Sequence, residues 1–167
     1  MTRQLYILRH AKSDWASDAP NDFQRPLNDR GIRNARMMGK WLAEQGILPR
    51  TIISSPALRA WQTAALACNG LGIDETRIQF EPELYLADLG TLMQTVNSLP
   101  AASASAMLVG HNPGLDQLVA YLAGNELPVA PDGKVMATAT LAQLELEGDW
   151  SSATEAAATL VQLHRAR

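Results

Sequence analysis

Leu5–Ser13 has the sequence LYILRHAKS, in which four apolar residues are followed directly by Arg9 and His10. An apolar run of this length, Leu5–Leu8, predicts a short strand that is buried on both faces. Cationic side chains are rare at the end of such a strand unless a negative group meets them there. An arginine has donors that match phosphate oxygens, and a neutral histidine has a nitrogen that can attack phosphorus. The pair indicates a phosphoryl-transfer site, with the alternative that both side chains are solvated in a loop.

The composition restricts the classes of protein to which the chain can belong. Its 167 residues, 47% hydrophobic and 19% charged, predict one domain, residues 1–167, with a substantial core. The net charge of −3 argues against nucleic acids and anionic membranes as partners. Cys68 is the single cysteine, which excludes an intramolecular disulfide and a cysteine-based zinc site. The absence of a signal-peptide core or a long apolar run predicts a cytoplasmic protein, and we expect no metal ion and no cofactor.

The hydrophobic pattern predicts strands that alternate with helices. We expect strands at Leu5–Leu8, Thr51–Ser54, Arg77–Phe80, Ala106–Val109, Thr138–Leu146 and Ala156–Leu163, although the alanines of the last segment also suit a helix. We expect helices from Asn28 to Gly46, from Ser55-Pro56 to about Leu71, at Leu89–Ser98, and from Asn112-Pro113 through Ala123, with a turn-rich loop at Pro128–Gly133. This order predicts a three-layer α/β/α sandwich with a mainly parallel sheet, in which an edge strand can run antiparallel.

Polar side chains with useful chemistry follow the predicted strands. Arg9 and His10 follow the first strand, His111 follows a later one, and Arg59 lies one turn inside the helix that begins at Ser55. Ligands of parallel sheets bind at the carboxyl ends of the strands, where helix N-termini also present free N–H groups. We therefore expect two histidines and two arginines to meet at one edge of the sheet. The alternative for His111 is a strand-end histidine with a structural role, and we expect His164 at the surface.

Three separated blocks of sequence carry a family resemblance. They are Leu8–Ser13 (LRHAKS), Ser54–Ala64 (SSPALRAWQTA) and Val109–Pro113 (VGHNP), in this order along the chain. Together they resemble the histidine phosphatase (phosphoglycerate mutase-like) superfamily over roughly residues 4–145. The short chain and the segment Asp22–Gly31 (DFQRPLNDRG) resemble its compact SixA-type phosphohistidine phosphatase branch.

The resemblance implies roles for four of these residues. His10 is expected to be the phosphorylated nucleophile, Arg9 and Arg59 to hold the phosphoryl oxygens, and His111 to complete the pocket. General physical chemistry agrees, because phosphoryl transfer depends chiefly on positioning and on stabilising the negative charge of the oxygens. His10 has to attack as the neutral imidazole, and neighbouring cations lower the pKa of a histidine. Transfer to His10 is then followed by attack of water on the phosphoenzyme.

Four further residues are candidates for the site. Glu83 aligns with an acidic position of larger relatives and is a candidate general acid, the alternative being a solvated loop carboxylate. Ser13, Lys12 and Arg25 are candidates for binding the phosphate or the substrate. For Lys12 and Arg25 the alternative is an ordinary solvated side chain. Larger members of the superfamily have glycine and then a carboxylate after the catalytic histidine, whereas this chain has Ala11 and Lys12.

The lengths of two loops indicate the type of substrate. The connections after Ser13 and Glu83 are short and leave little material for a lid, which favours an open pocket and a phosphohistidine side chain of another protein. The alternatives are a phosphatase for a small phosphate ester and a phosphate-binding module without catalysis. A mutase needs an enclosed site to retain its bisphosphate intermediate, so we rank it lower. The oligomeric state stays open, because Trp41, Trp61 and Trp150 suit either a core or an interface.

Overall fold

A computed structural model describes residues 1–124 and 127–167 of the chain. Its strands are β1 (Thr2–Arg9), β2 (Thr51–Ser54), β3 (Ile78–Phe80), β4 (Ser105–Gly110), β5 (Thr140–Glu147) and β6 (Ala158–Arg165). Its helices are α1 (Asp29–Glu44), α2 (Leu58–Leu71), α3 (Leu89–Asn97) and α4 (Gly114–Ala123). Short 3-10 turns cover Glu75–Arg77, Pro82–Leu84 and Trp150–Ser152. In the described ranges, no helix combines the length and the apolar character that crossing a membrane requires.

The strands form one mixed sheet in the order β3-β2-β4-β1-β5-β6. The first four strands of that order are parallel to one another, β5 is antiparallel to β1, and β6 is antiparallel to β5. The predicted α/β class is confirmed. The antiparallel strand β5 lies between β1 and the edge strand β6, not at the edge itself. Since residues 148–157 connect β5 and β6 without a crossover helix, the two strands can only pair as antiparallel neighbours.

Apolar side chains cover both faces of the sheet. In β1, Leu5 and Ile7 belong to a cluster with α3 and α4, whereas Tyr6 and Leu8 belong to a cluster with α1 and α2. Successive strand residues point to opposite faces, so a strand covered by helices on both sides has to be apolar at every position. This arrangement explains the LYIL run. Because β1 is an inner strand, its carboxyl end, and with it Arg9, lies in the middle of the row of strand ends and not beside an edge strand.

The ends of the helices agree in part with the sequence predictions. Asn28 caps α1 as predicted, since its side-chain oxygen accepts a hydrogen bond from the Gly31 N–H at 2.8 Å. The predicted start of α2 at Ser55-Pro56 is wrong, because the helix begins at Leu58. The Ser55 hydroxyl lies 2.8 Å from Nε2 of His111 and therefore serves the site. Helix α4 likewise begins at Gly114, two residues after Asn112.

Two glycines allow close approaches that position the loops of the site. A Cβ atom on Gly31 would lie 2.1 Å from the carbonyl oxygen of Lys12, so α1 packs directly against the backbone that follows His10. A Cβ atom on Gly114 would lie 2.2 Å from the carbonyl oxygen of Ala87. No other residue type permits these contacts without a shift of the backbone. The start of α1 and the start of α4 are thereby held against the loops at the sheet edge.

The three tryptophans discussed above have different environments. Trp150 is buried in the core cluster of α3 and α4, as one of the two alternatives predicts. Trp41 stacks on His164 with 3.9 Å between the ring centroids. His164 therefore packs against the Trp41 indole and does not line the site. Trp61 is exposed at the surface of α2.

Candidate active site

A cavity of about 290 Å³ lies at the carboxyl ends of the parallel strands. It brings together seven of the predicted site residues: Arg9, His10, Lys12, Ser13, Arg25, Arg59 and His111. Arg9 and His10 come from the end of β1, Arg59 from the first turn of α2, and His111 from the end of β4. The predicted meeting of two histidines and two arginines at one sheet edge is therefore what the structure shows.

His10 is buried, with 7% of its surface exposed, and its ring is oriented by the backbone. Its Nδ1 lies 2.7 Å from the carbonyl oxygen of Ala11. A carbonyl oxygen can only accept, so Nδ1 carries the proton and Nε2 has the free lone pair. Burial lowers the pKa of His10 to about 3, and the positive charges of Arg9 and Arg59 act in the same direction, against the hydrogen bond to Ala11. The imidazole is thus neutral and nucleophilic at physiological pH.

His111 faces His10 across the cavity. The ring centroids of the two histidines are 5.3 Å apart, and Nε2 of His111 lies 2.8 Å from the Ser55 hydroxyl. Burial, together with the charge of Arg59, lowers the pKa of His111 to about 3. Its Nδ1 is buried and has no hydrogen-bond partner among the described residues. The sequence alternative of a fully satisfied strand-end histidine therefore does not describe this side chain.

The two predicted phosphate-binding arginines are held by different partners. Arg59 is 2% exposed and donates to Asp22 twice, from Nη1 to the backbone carbonyl at 2.7 Å and from Nη2 to the carboxylate at 3.0 Å. Nη1 of Arg9 donates to the carbonyl oxygen of Met136 at 3.0 Å. The Nε atoms of both arginines are buried and unpartnered within the described part of the chain. Phosphoryl oxygens are acceptors of the kind that satisfy such groups.

Arg25 is a buried part of the site and not a solvated side chain. Its Nε donates to the Ser13 hydroxyl at 3.0 Å, and its Nη1 forms an ion pair with the Asp22 carboxylate. The indole of Trp15 covers the guanidinium, whose central carbon is 3.6 Å from the ring centroid. Lys12, in contrast, is exposed at the rim. The structure thus places Arg25 and Ser13 deeper in the cavity than Lys12.

Asp22 is a site residue that the sequence reasoning missed. Its carboxylate accepts hydrogen bonds from Arg25, Arg59 and the Tyr85 hydroxyl. Burial raises the pKa of Asp22, but these hydrogen bonds outweigh it and hold the pKa below its ordinary value. The ionised carboxylate therefore joins two arginines from different segments. The available signal was a carboxylate three residues before Arg25 in the segment that resembles the SixA-type branch.

Glu83 lies away from the cavity. It is exposed on the 3-10 turn Pro82–Leu84, and its backbone N–H donates to the Glu81 carboxylate at 3.3 Å. Leu84 of the same turn is buried in the core. Of this segment it is Leu86, and not Glu83, that lines the cavity. The structure therefore does not bring the predicted general acid to His10, and Asp22 is the carboxylate that lines the cavity.

Residues 1–124 and 127–167 contain no group of three or more histidine, cysteine, aspartate or glutamate side chains that could hold a metal ion. Cys68 is buried in α2, and its burial raises the pKa of the thiol to about 11. The titratable groups with the largest departures in pKa thus lie at the cavity, apart from this thiol.

Comparisons with known proteins show the family to which the chain belongs. The model of the histidine phosphatase superfamily (branch 1) matches residues 5–101. Phosphohistidine phosphatase SixA of Escherichia coli (strain K12) is 32% identical over 140 residues, which cover 83% of this chain and 85% of that protein. An uncharacterized protein of Mycobacterium tuberculosis is 33% identical over 161 residues, covering 94% and 98% of the two chains.

Solved structures share the complete fold. A structure described as a putative phosphohistidine phosphatase SixA from Nakamurella multipartitia has a TM-score of 0.80 and 28% identity, covering 99% of this chain and 97% of that one. A structure of the protein histidine phosphatase SixA with tungstate has a TM-score of 0.81 and 27% identity, covering 97% and 96%. With the family match over more than half of its length, the chain belongs to branch 1 of the histidine phosphatase superfamily and is a hydrolase, a phosphatase that acts through a histidine.

Proposed function

We propose that this protein removes the phosphoryl group from phosphohistidine in a protein substrate, through a phosphoenzyme intermediate on His10. The observation that carries the proposal is a neutral, buried His10 whose Nε2 is free, with Arg9, Arg59 and His111 around the same cavity. Structures of SixA are similar along the whole chain, and one of them holds tungstate. Tungstate is a tetrahedral oxyanion, so the likeness supports the binding of an oxyanion by this protein.

The first step transfers the phosphoryl group to His10. Nε2 of His10 attacks phosphorus, the P–N bond of the substrate breaks, and its electron pair returns to the substrate imidazole. That imidazole leaves as a neutral molecule when its other nitrogen carries a proton, which a reference pKa of about 6.5 permits near neutral pH. The reaction therefore does not require a strong general acid, in agreement with the position of Glu83 outside the cavity.

The second step releases phosphate. A water molecule attacks phosphorus, the P–Nε2 bond breaks, and the water proton passes to a phosphate oxygen or to solvent. His10 leaves as a neutral imidazole because its Nδ1 keeps the proton that is hydrogen-bonded to the Ala11 carbonyl. The same hydrogen bond thus orients His10 as a nucleophile and makes it a good leaving group.

The charged groups around His10 stabilise the phosphoryl group during both steps. Arg9 and Arg59 supply donors and positive charge for the equatorial oxygens, and buried groups of this kind require little reorganisation. Asp22 holds Arg59 by two hydrogen bonds, which makes it a positioning residue. The guanidinium of Arg59 is therefore oriented before the substrate arrives.

The mouth of the cavity supports a protein substrate. Trp15, which is 74% exposed, lines the cavity and covers Arg25, and Leu86 is a second exposed apolar side chain in the cavity lining. Phe23 is also exposed and packs edge-on against Tyr85 at 5.1 Å between centroids. Exposed aromatic and apolar groups around a polar pocket are typical of surfaces that contact another protein.

A phosphohistidine-bearing protein domain provides the test. We expect loss of its phosphate with the wild-type protein, no loss with His10→Ala, and acid-labile phosphate on the wild-type chain after brief mixing. His164→Ala is the matched control, because His164 stacks on Trp41 and does not line the cavity. A panel of small phosphate esters is measured in parallel. Turnover of one ester without turnover of the phosphohistidine domain would reject the protein substrate and support a metabolite phosphatase.

A further inference from the structure

A second cavity adjoins the active site. It has a volume of about 220 Å³ and lies between the N-terminal half of α1, residues 130–138 and the end of β6. Thr138 lines both cavities, so the two share a wall. The mechanism proposed above uses none of the residues that line only the second cavity.

Asn34 of α1 contributes a polar side chain to the wall of the second cavity. Its side chain is 7% exposed and lies on the buried face of the helix, next to Ala35 and Met38. It lines the cavity with its amide group, which offers a hydrogen-bond donor and an acceptor. An amide N–H at the wall of a cavity can donate to an anion bound there.

Positive charge predominates around this amide. Arg30, Arg165 and Arg167 line the cavity, and none of them forms an ion pair within the described ranges. Nε of Arg165 is buried and unpartnered there, and its Nη2 has only a long hydrogen bond of 3.4 Å to the Val135 carbonyl. Asp132 is the carboxylate side chain of this wall, and it also favours the charged form of Arg9 in the neighbouring cavity.

We propose that this second cavity binds an anionic group, a phosphate or a carboxylate, of the substrate whose phosphoryl group lies beside His10. Arginines and an amide donor offer the fork-like contacts that both anions accept. The shared Thr138 places the two anions within reach of one molecule. The assignment to the substrate rests on the proposed phosphatase function, whereas the binding of an anion does not.

Binding is tested without any turnover, by titrating the 15N-labelled protein with orthophosphate and following its backbone amides by NMR. We expect two groups of amides to shift, one at His10–Ser13 and one around Asn34 and Ala166. In the double variant R30Q/R165Q the second group should require at least about ten times more phosphate, since the loss of a single charge-assisted hydrogen bond already costs roughly a factor of ten. Arg33→Gln on the same helix is the matched control, because Arg33 is exposed and lines neither cavity.

Asn34→Asp keeps the test decisive if the double variant is poorly folded. The change preserves the shape of the side chain and introduces a negative charge, so we expect the second group of shifts to disappear. The proposal is overturned if the second group of amides does not shift in the wild type. It is also overturned if that group shifts in R30Q/R165Q and N34D at the same phosphate concentrations as in the wild type. These outcomes are independent of whether the protein hydrolyses phosphohistidine.

Kinetics then identify the source of the anion. The ratio of kcat/KM between a substrate with a second anionic group and its neutral counterpart is compared for the wild type, R30Q/R165Q and R33Q. One pair consists of phosphohistidine peptides with acidic or amide residues beside the histidine, and the other of a small bisphosphate and its monophosphate. The pair whose ratio falls about tenfold in R30Q/R165Q, and not in R33Q, carries the natural anion. An unchanged ratio in both pairs would contradict the assignment to the substrate.

Discussion

Asp22 and Arg59 form a two-point contact across the mouth of the active site. Nη1 of Arg59 donates to the Asp22 backbone carbonyl, and Nη2 donates to its carboxylate at 3.0 Å. The two residues come from a loop and a helix that are 37 positions apart in sequence. The contact couples the conformation of the loop that contains Asp22 to the direction of the Arg59 guanidinium, which lines the cavity.

The replacement of Asp22 by Asn should slow catalysis more than it weakens the fold. It removes the charge that holds Arg59 and Arg25, so we expect kcat to fall about tenfold through loss of orientation. Steady-state kinetics with far-UV circular dichroism measure the two effects separately. Asp18→Asn, at an exposed position of the same segment, is the control. A normal kcat in D22N would show that Arg59 is positioned without the carboxylate.

The ring nitrogens of His10 should titrate far below the usual range. The pKa of His10 is lowered to about 3, so the imidazole is neutral at all pH values above about 4. An NMR titration of the free protein from pH 8 to 4 should therefore show His10 unprotonated throughout, with Nδ1 carrying the proton. A midpoint near pH 6.5 would mean that the His10 ring is solvated and not buried.

The same lowered pKa values make stability depend on pH. An unfolded histidine binds a proton below about pH 6.5, whereas folded His10 and His111 stay neutral down to about pH 3. Lowering the pH through this window therefore favours the unfolded state, by about 1.4 kcal/mol per pH unit for each histidine. Urea unfolding at pH 7, 6, 5 and 4 measures this slope. We expect His10→Gln to remove about half of the slope that the two histidines cause. A slope equal to that of the wild type would contradict the low pKa of His10.

Gly31 should tolerate no side chain. The Cβ atom of an alanine would lie 2.1 Å from the Lys12 carbonyl, so either α1 or the loop after His10 has to move. We expect Gly31→Ala to destabilise the fold by about 2–3 kcal/mol and to reduce activity. Thermal unfolding and kinetics measure both effects. Gly90→Ala on α3 is the control, because its Cβ has an ordinary distance of 3.7 Å to the Asp88 side chain. Equal stability of the two variants would be the contrary result.

Trp15 should matter for a protein substrate. Its indole covers Arg25 and is exposed at the rim, where a partner surface would bury it. For Trp15→Ala we expect KM for a phosphohistidine domain to rise about tenfold, since a tryptophan that becomes buried in an interface often contributes at least this much to binding. Trp61→Ala, an exposed tryptophan that does not line the active-site cavity, is the control. If KM is the same for both variants, the partner does not contact this rim.

The parts of the fold that depend on local sequence were predictable. The LYIL run predicted a strand covered on both faces, and Asn28 predicted the start of α1, because apolar period and capping act over a few residues. The convergence of His10, Arg59 and His111 followed from the rule that parallel strands present their carboxyl ends on one edge.

What only the tertiary structure decided depends on contacts between distant segments. The capture of Asp22 by Arg59 and Tyr85 joins positions 37 and 63 residues apart, and no local pattern specifies such contacts. The exclusion of Glu83 from the cavity follows from a 3-10 turn that buries Leu84 instead. The sequence by itself therefore determined which histidines and arginines meet at the candidate active site. The three-dimensional packing of the loops decided which carboxylate lies beside these groups and which side chains surround the cavity mouth. The reason is that contacts with distant segments, and not local sequence patterns, fix the conformation of these loops.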